Sequence, residues 1–135
     1  MPPSKQPAKT KSLAQLAEAV GGYPAEAYEF VQRGLSYTVQ KIHGAQSDPD
    51  ASRHVSGPQL CNGLRDLALS QWGMMARLVL RRWGVTSTYD FGRLVFALIE
   101  HGQMQKTDDD SLEDFRNVFD FKSAFDHAYR IPSAS

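Results

Sequence analysis

Residues 74–121 read MMARLVLRRWGVTSTYDFGRLVFALIEHGQMQKTDDDSLEDFRNVFDF. Apolar side chains recur every three or four residues over 74–83 and again over 88–101, and this spacing predicts two helices. Gly84 and Gly102 follow the two helices and predict where each one ends. The short stretch between them is a turn, so this part of the chain predicts a helix–turn–helix arrangement.

The segment after the second helix predicts a β-hairpin over 103–119. Phe115 and Val118 are residue types that favour strands, and an acidic turn over 108–111 separates them from the first strand. The rival interpretation is a short acidic helix over 111–118.

Two capping boxes mark helix starts on the N-terminal side of this region. Ser12 is followed by Gln15, and Ser56 is followed by Gln59, which is the spacing at which the two side chains cap each other's backbone N–H groups. We therefore predict one globular domain over 12–130, made of a helical pair (12–42), a loop (43–56), a three-helix segment (57–102), the hairpin (103–119) and a terminal helix (120–130), with a disordered basic tail (1–11) and a frayed tail (131–135).

The predicted fold class is mainly α (α+β), a compact helical domain with one small C-terminal β-hairpin. Over residues 57–121 the order is helix, helix, turn, helix, hairpin, which resembles a winged helix.

Composition limits the function classes. The chain has 135 residues, with 15 Lys and Arg balanced by 15 Asp and Glu, so a uniformly basic nucleic-acid or membrane coat is excluded. Cys61 is the single cysteine, so an internal disulfide is impossible and a cysteine-based zinc site is not expected. No apolar run is long enough to span a membrane. We expect a cytoplasmic protein.

A winged-helix DNA-binding regulator is one functional hypothesis. Its candidate DNA contacts lie on the two helices and are Arg77, Arg81, Arg82, Thr88, Tyr89 and Arg93. The charge distribution disfavours it, because residues 107–135 hold seven acids against three basic residues and would make the wing acidic.

Other site hypotheses rest on fewer residues. Arg53, His54 and Ser56 precede a helix, where an anion could bind near the helix N-terminus, and a low-ranked alternative function is a small-molecule-binding or enzymatic domain there. No catalytic motif, metal-ligand spacing or cofactor motif is present, so we predict no catalytic residue, no metal and no cofactor. Cys61 is flanked by leucines and is expected to be a buried thiol.

Several segments together resemble a family of uncharacterised small bacterial proteins of about this length. The resemblance covers roughly residues 13–126 and is carried by RHVSG (53–57), LALSQWG (67–73), WGV (83–85), DFG (90–92), KTDDD (106–110), DF (114–115) and FDF (119–121). It implies a stand-alone bacterial cytoplasmic protein. It implies no particular activity, cofactor or site residue.

The leading functional hypothesis is a non-enzymatic adaptor or regulator that binds a protein partner. Residues 53–106 hold seven Lys and Arg against three acids, whereas 107–135 are net acidic, so two copies of the chain could pair head to tail. The candidate interaction surface is the acidic set Asp108, Asp109, Asp110, Glu113 and Asp114.

Overall fold

The computed structural model describes residues 12–44 and 54–127. In this part of the chain the structure is helical. The five α-helices are α1 (Leu13–Val20), α2 (Ala25–His43), α3 (Gly57–Trp72), α4 (Ala76–Arg82) and α5 (Thr88–Glu100). Shorter turns complete it: 3-10 turns at Gly73–Met75 and Leu112–Phe115, and a π-helical turn at Lys122–His127.

Helices α1 and α3 begin where the sequence predicts, whereas the helix predicted from residue 74 begins at Ala76, after a 3-10 turn. The Ser12 hydroxyl accepts a hydrogen bond from the Gln15 N–H at 3.2 Å, and the Ser12 N–H donates to the Gln15 side chain at 3.0 Å. Ser56 and Gln59 make the same reciprocal pair at the start of α3. Each pair satisfies two backbone donors that a helix N-terminus would otherwise leave unpaired. The two predicted capping boxes are therefore confirmed.

Helix α2 lies at the centre of the core and packs most extensively against α3. Two glycines let these helices approach closely: Gly34 of α2 lies against Leu64, and Gly63 of α3 lies against Thr38. A side chain at either glycine would meet its neighbour well inside van der Waals contact. The core between the helices is apolar, with Tyr28, Phe30, Phe91, Phe115 and several leucines fully buried.

The predicted hairpin over 103–119 is wrong, because no strand occurs in the described residues. Ser111 caps a 3-10 turn over Leu112–Phe115 instead. The Thr88 hydroxyl donates to the Phe115 carbonyl at 2.6 Å and accepts from the Val118 N–H at 3.1 Å. These backbone groups are bonded to a side chain and cannot pair with a second strand.

The fold class must be corrected accordingly, from α+β to all helical in the described part. Without the hairpin there is no wing, so the winged-helix-like arrangement over 57–121 is not formed. The rival interpretation, a short acidic helix over 111–118, is nearer to the observed 3-10 turn. The start of the predicted terminal helix over 120–130 is a π-helical turn. The two predicted tails and most of the predicted loop over 43–56 lie outside the described residues.

Candidate functional site

An exposed apolar surface lies where α3 passes into α4. Met74 and Met75 are 68% and 53% exposed, which makes them the most exposed large hydrophobic side chains in the described residues. Leu78, one helical turn further on, is half-buried, and Arg81 and Arg82 follow it on the same side of α4 and are exposed. We call these five residues the Met–Arg surface.

An aromatic cluster supports this surface from below. The Trp72 and Trp83 rings meet edge to face with centroids 5.4 Å apart, and Phe30 lies 5.1 Å from Trp72 and 5.8 Å from Trp83. Arg33 places its guanidinium over the Phe30 ring at 5.9 Å. Because Trp72 ends α3 and Trp83 follows α4, the cluster holds together the two chain positions that flank Met74 and Met75 in the sequence. Flexible thioethers on a rigid aromatic base make an adaptable contact surface.

The arginines of α4 have different environments. Arg77 makes an ion pair with Asp126 at 2.6 Å. The Arg81 and Arg82 side chains make no ion pair or hydrogen bond within the described residues. The charges of Arg81 and Arg82 are therefore available to an anionic group of a partner, whereas the charge of Arg77 is already paired with Asp126.

The other predicted DNA contacts are largely covered. Thr88 is buried and bonded to the backbone of the segment after the 3-10 turn. The Arg116 guanidinium stacks on the Tyr89 ring at 4.5 Å. Arg93 is exposed but lies over the Tyr23 ring at 5.7 Å. Other segments of the chain therefore contact the residues at the start of α5. The six residues predicted to contact DNA do not form one continuous exposed surface.

The five acidic residues predicted as an interaction surface divide into two groups. Asp110 is buried and accepts the Thr107 N–H at 2.7 Å. Asp114 accepts the Ser111 N–H at 3.1 Å, and Glu113 makes a two-pronged pair with Arg116 at 2.9 and 3.1 Å. The Arg116 pairing holds the pKa of Glu113 below its usual range.

Asp108 and Asp109 form the second group. Both are exposed and have no ion pair or hydrogen bond within the described part of the chain. They are the two carboxylates of this segment that are available to a partner.

The predicted anion site has an acidic neighbour. His54 Nε2 lies 3.7 Å from the Asp110 carboxylate, and Ser56 is engaged as the cap of α3. Arg53 lies outside the described residues. The anion site stays a prediction, but the Asp110 carboxylate would repel an anion bound beside His54.

The structure also contains a buried polar pair that the sequence did not indicate. The Tyr23 hydroxyl donates to the Asp90 carboxylate at 2.6 Å, and the other carboxylate oxygen accepts the N–H groups of Thr86 and Ser87. Burial, and then the hydrogen bond to Asp90, raise the pKa of Tyr23. The pair ties the α1–α2 connection to the start of α5. The sequence did not indicate this pair because the tyrosine and the aspartate lie 67 residues apart in the chain.

Two further observations concern the cysteine thiol and the side-chain types that bind metals. Cys61 is buried, and burial raises the pKa of its thiol far above the usual range, so the thiolate nucleophile is suppressed. No group of three His, Cys, Asp or Glu side chains in the described part is placed to hold a metal ion.

Two open cavities are lined wholly by described residues. One, of about 320 Å³, lies at the start of α5, and its lining includes Ser87, Asn117 and Phe119. The other, of about 330 Å³, lies between α2 and α3 near Ile42, where Lys41 pairs with Asp66 at 2.7 Å. The first lining also contains the Thr86 and Thr88 hydroxyls and the Asp120 carboxylate, and the second contains the Thr38 hydroxyl.

Comparisons with family models, curated proteins and solved structures give no match. Among the described residues, no helix has both the length and the apolar character needed to cross a membrane.

Proposed function

We propose that this protein is a non-enzymatic protein-interaction module, acting as an adaptor or regulator, and that it binds through the Met–Arg surface. The observation that carries the proposal is the exposure of Met74 and Met75 beside two arginines whose side chains have no partner among the described residues. Methionine, tryptophan and arginine are enriched at protein interfaces, and burying them on a partner removes apolar area from water.

The chemistry of this surface favours protein over nucleic acid. A nucleic-acid surface gains most of its affinity from many phosphate contacts. The Met–Arg surface offers two arginine side chains without a partner in the described part of the chain, Arg81 and Arg82, and exposed apolar side chains lie beside them. A protein segment with apolar and acidic side chains complements both features.

The test is affinity capture from the native lysate, read by mass spectrometry and performed with and without nuclease. The wild-type protein is compared with a variant that carries Met74→Asp and Met75→Asp. The matched control is Ile42→Asp, which places the same charge at another exposed apolar residue, at the far end of α2.

We expect specific protein partners that survive nuclease, are lost with the methionine variant and are retained with the control. Partners that disappear on nuclease treatment would overturn the proposal and support nucleic-acid binding. Partners that bind both variants equally would show that the Met–Arg surface is not the binding face.

A further inference from the structure

We infer that the Met–Arg surface binds a second copy of this chain, and that the contacting segment of that copy is the acidic turn at Asp108 and Asp109. The inference rests on the proposed function, since it names an occupant for the same surface. It is carried by two charge clusters of opposite sign, whose side chains have no ion pair within residues 12–44 and 54–127, and by their positions near opposite ends of α3.

The acidic turn lies at the N-terminal end of α3. His54, just before this helix, pairs with Asp110 at 3.7 Å, and Gly57, its first residue, lies against Asp114 and Phe115. Asp108 and Asp109 immediately precede Asp110, so their exposed carboxylates lie near this end.

The Met–Arg surface lies at the opposite end of α3. Met74 and Met75 follow Trp72, the last residue of the helix, within one turn. Trp83 packs on Trp72 and brings the end of α4, with Arg82, to the same place. Helix α3 has 16 residues and is therefore roughly 24 Å long. The two clusters lie near its opposite ends, so about this distance separates them.

This arrangement is complementary to itself in one orientation. When two copies lie side by side with their α3 helices antiparallel, each acidic turn meets the Met–Arg surface of the other copy. Both contacts form at once around a two-fold axis, so the assembly closes as a dimer. Direct contact between two Met–Arg surfaces would instead bring four arginines together and is opposed by their repulsion.

The charges and the methionines have separate roles in this dimer. Exposed ion pairs contribute little free energy, but they set the orientation of the two partners. The methionines supply apolar area and adapt to the surface of the partner's turn. A second copy also covers the binding face, so dimer formation competes with any other protein partner.

The charges near each cluster leave the complementarity in place. Close to the acidic turn, Lys106 is exposed, and Arg116 is already paired with Glu113. Close to the Met–Arg surface, Asp126 is already paired with Arg77. Lys106 makes no ion pair with Asp108 or Asp109, so the two carboxylates and the two guanidinium groups all lack an ion pair among the described residues.

The test is a charge exchange read by sedimentation velocity and by light scattering, from low micromolar to sub-millimolar protein. One variant carries Arg81→Glu and Arg82→Glu, and the other carries Asp108→Lys and Asp109→Lys. The control carries Glu18→Lys and Glu100→Lys, two exposed acids on α1 and α5 that change the net charge as much as the second variant does. Circular dichroism verifies that each variant is folded.

For the wild-type protein we expect a concentration-dependent approach to twice the 15.1 kDa chain mass, stronger in about 50 mM than in about 500 mM salt. Each charge variant alone should dimerise about tenfold or more weakly, because like charges then face each other. An equimolar mixture of the two should recover the wild-type affinity, because every contact in the mixed dimer again joins opposite charges. The control should behave as the wild type.

A wild-type protein that stays monomeric at the highest concentration would overturn the inference. So would a mixture that fails to recover, or a dimer that both charge variants leave unchanged. Binding of the monomer to anionic phosphatidylglycerol vesicles through Arg81 and Arg82 would replace the second copy by a membrane surface. In each case the methionine-dependent capture experiment still decides the proposed function separately.

Discussion

At the scale of single residues, two tyrosines in one buried region have opposite hydrogen-bond states. The Tyr23 hydroxyl donates to Asp90 at 2.6 Å, whereas the Tyr28 hydroxyl is buried without a partner in the described residues. Their rings contact each other edge to face, with centroids 6.4 Å apart. The same substitution at the two positions therefore isolates the value of one hydrogen bond.

We expect Tyr23→Phe to lower the free energy of unfolding by about 1–3 kcal/mol, because it removes the hydroxyl donor of a buried carboxylate. Tyr28→Phe is the matched control and should be neutral or stabilising, because it removes a polar group that gains no partner on folding. Urea denaturation of both variants measures the difference. Equal losses at the two positions would contradict this account of Tyr23.

The contact between Gly63 and Thr38 gives a second prediction. The Thr38 hydroxyl donates to the Gly34 carbonyl at 2.6 Å, so it cannot rotate away without losing that bond. We expect Gly63→Ala to cost about 1–3 kcal/mol of unfolding free energy through overpacking, although alanine is the better helix former.

Thermal and urea denaturation measure this loss. The control is Asn62→Ala, an exposed position on the same helix, which should stay within about 0.5 kcal/mol of the wild type. A stabilised Gly63→Ala protein would mean that α2 and α3 separate easily, and it would contradict the close packing.

At the scale of elements, the helices follow local signals and the C-terminal part does not. The capping boxes at Ser12 and Ser56, together with the glycines after Val20 and Trp72, determine the bounds of α1 and α3. A helix start of this kind depends on residues within one turn, so a single sequence contains the whole signal. Residues 103–119 contain one local unit, the capping box of Ser111 and Asp114, but the backbone that follows it bonds to the distant Thr88.

Thr88→Val tests the two hydrogen bonds between Thr88 and this segment. Valine keeps the shape of threonine but leaves the Phe115 carbonyl and the Val118 N–H without their partner, so we expect a loss of about 1–3 kcal/mol. Hydrogen exchange should accelerate first over 112–119, where these hydrogen bonds are lost. Thr88→Ser keeps the hydroxyl and should retain most of the stability and the protection. An unchanged rate of hydrogen exchange over 112–119 in Thr88→Val would show that the Thr88 hydrogen bonds do not hold this segment in place.

At the scale of the whole molecule, three buried groups link stability to alkaline pH. Burial raises the pKa of Tyr23, Tyr28 and Cys61 in the folded state. The folded protein then holds protons that the unfolded chain releases, so the free energy of unfolding falls as pH rises through the unfolded values. Those values are about 8.5 for Cys and about 10 for Tyr.

We expect these three groups to leave the stability unchanged up to about pH 8 and to cause a decline that steepens above about pH 10, by up to about 1.4 kcal/mol per pH unit for each ionising group. Urea denaturation between about pH 8 and pH 11 measures the slope. Cys61→Ala should remove the part of the decline that starts near pH 8.5. A flat profile up to pH 11 would mean that these groups become exposed in the folded state.

By itself the sequence determined the helical segments, their caps, the buried Cys61 and the separation of basic and acidic regions. These properties depend on composition and on neighbours within a few residues. The proposed surfaces required the tertiary structure, because only packing shows which charges are already paired. Arg77 and Glu113 form ion pairs, whereas the Arg81 and Asp108 side chains form none with any described residue, although the sequence does not distinguish them.

The segment after α5 shows the same limit for the fold. Its strand-favouring residues predicted a hairpin. Instead, the buried Thr88 hydroxyl forms hydrogen bonds with the Phe115 carbonyl and the Val118 N–H. Contacts between residues far apart in the chain depend on how the helices pack, so a local sequence pattern cannot predict them. The tertiary structure therefore decided where the methionines are exposed, which carboxylates are buried and which ends of α3 carry opposite charge.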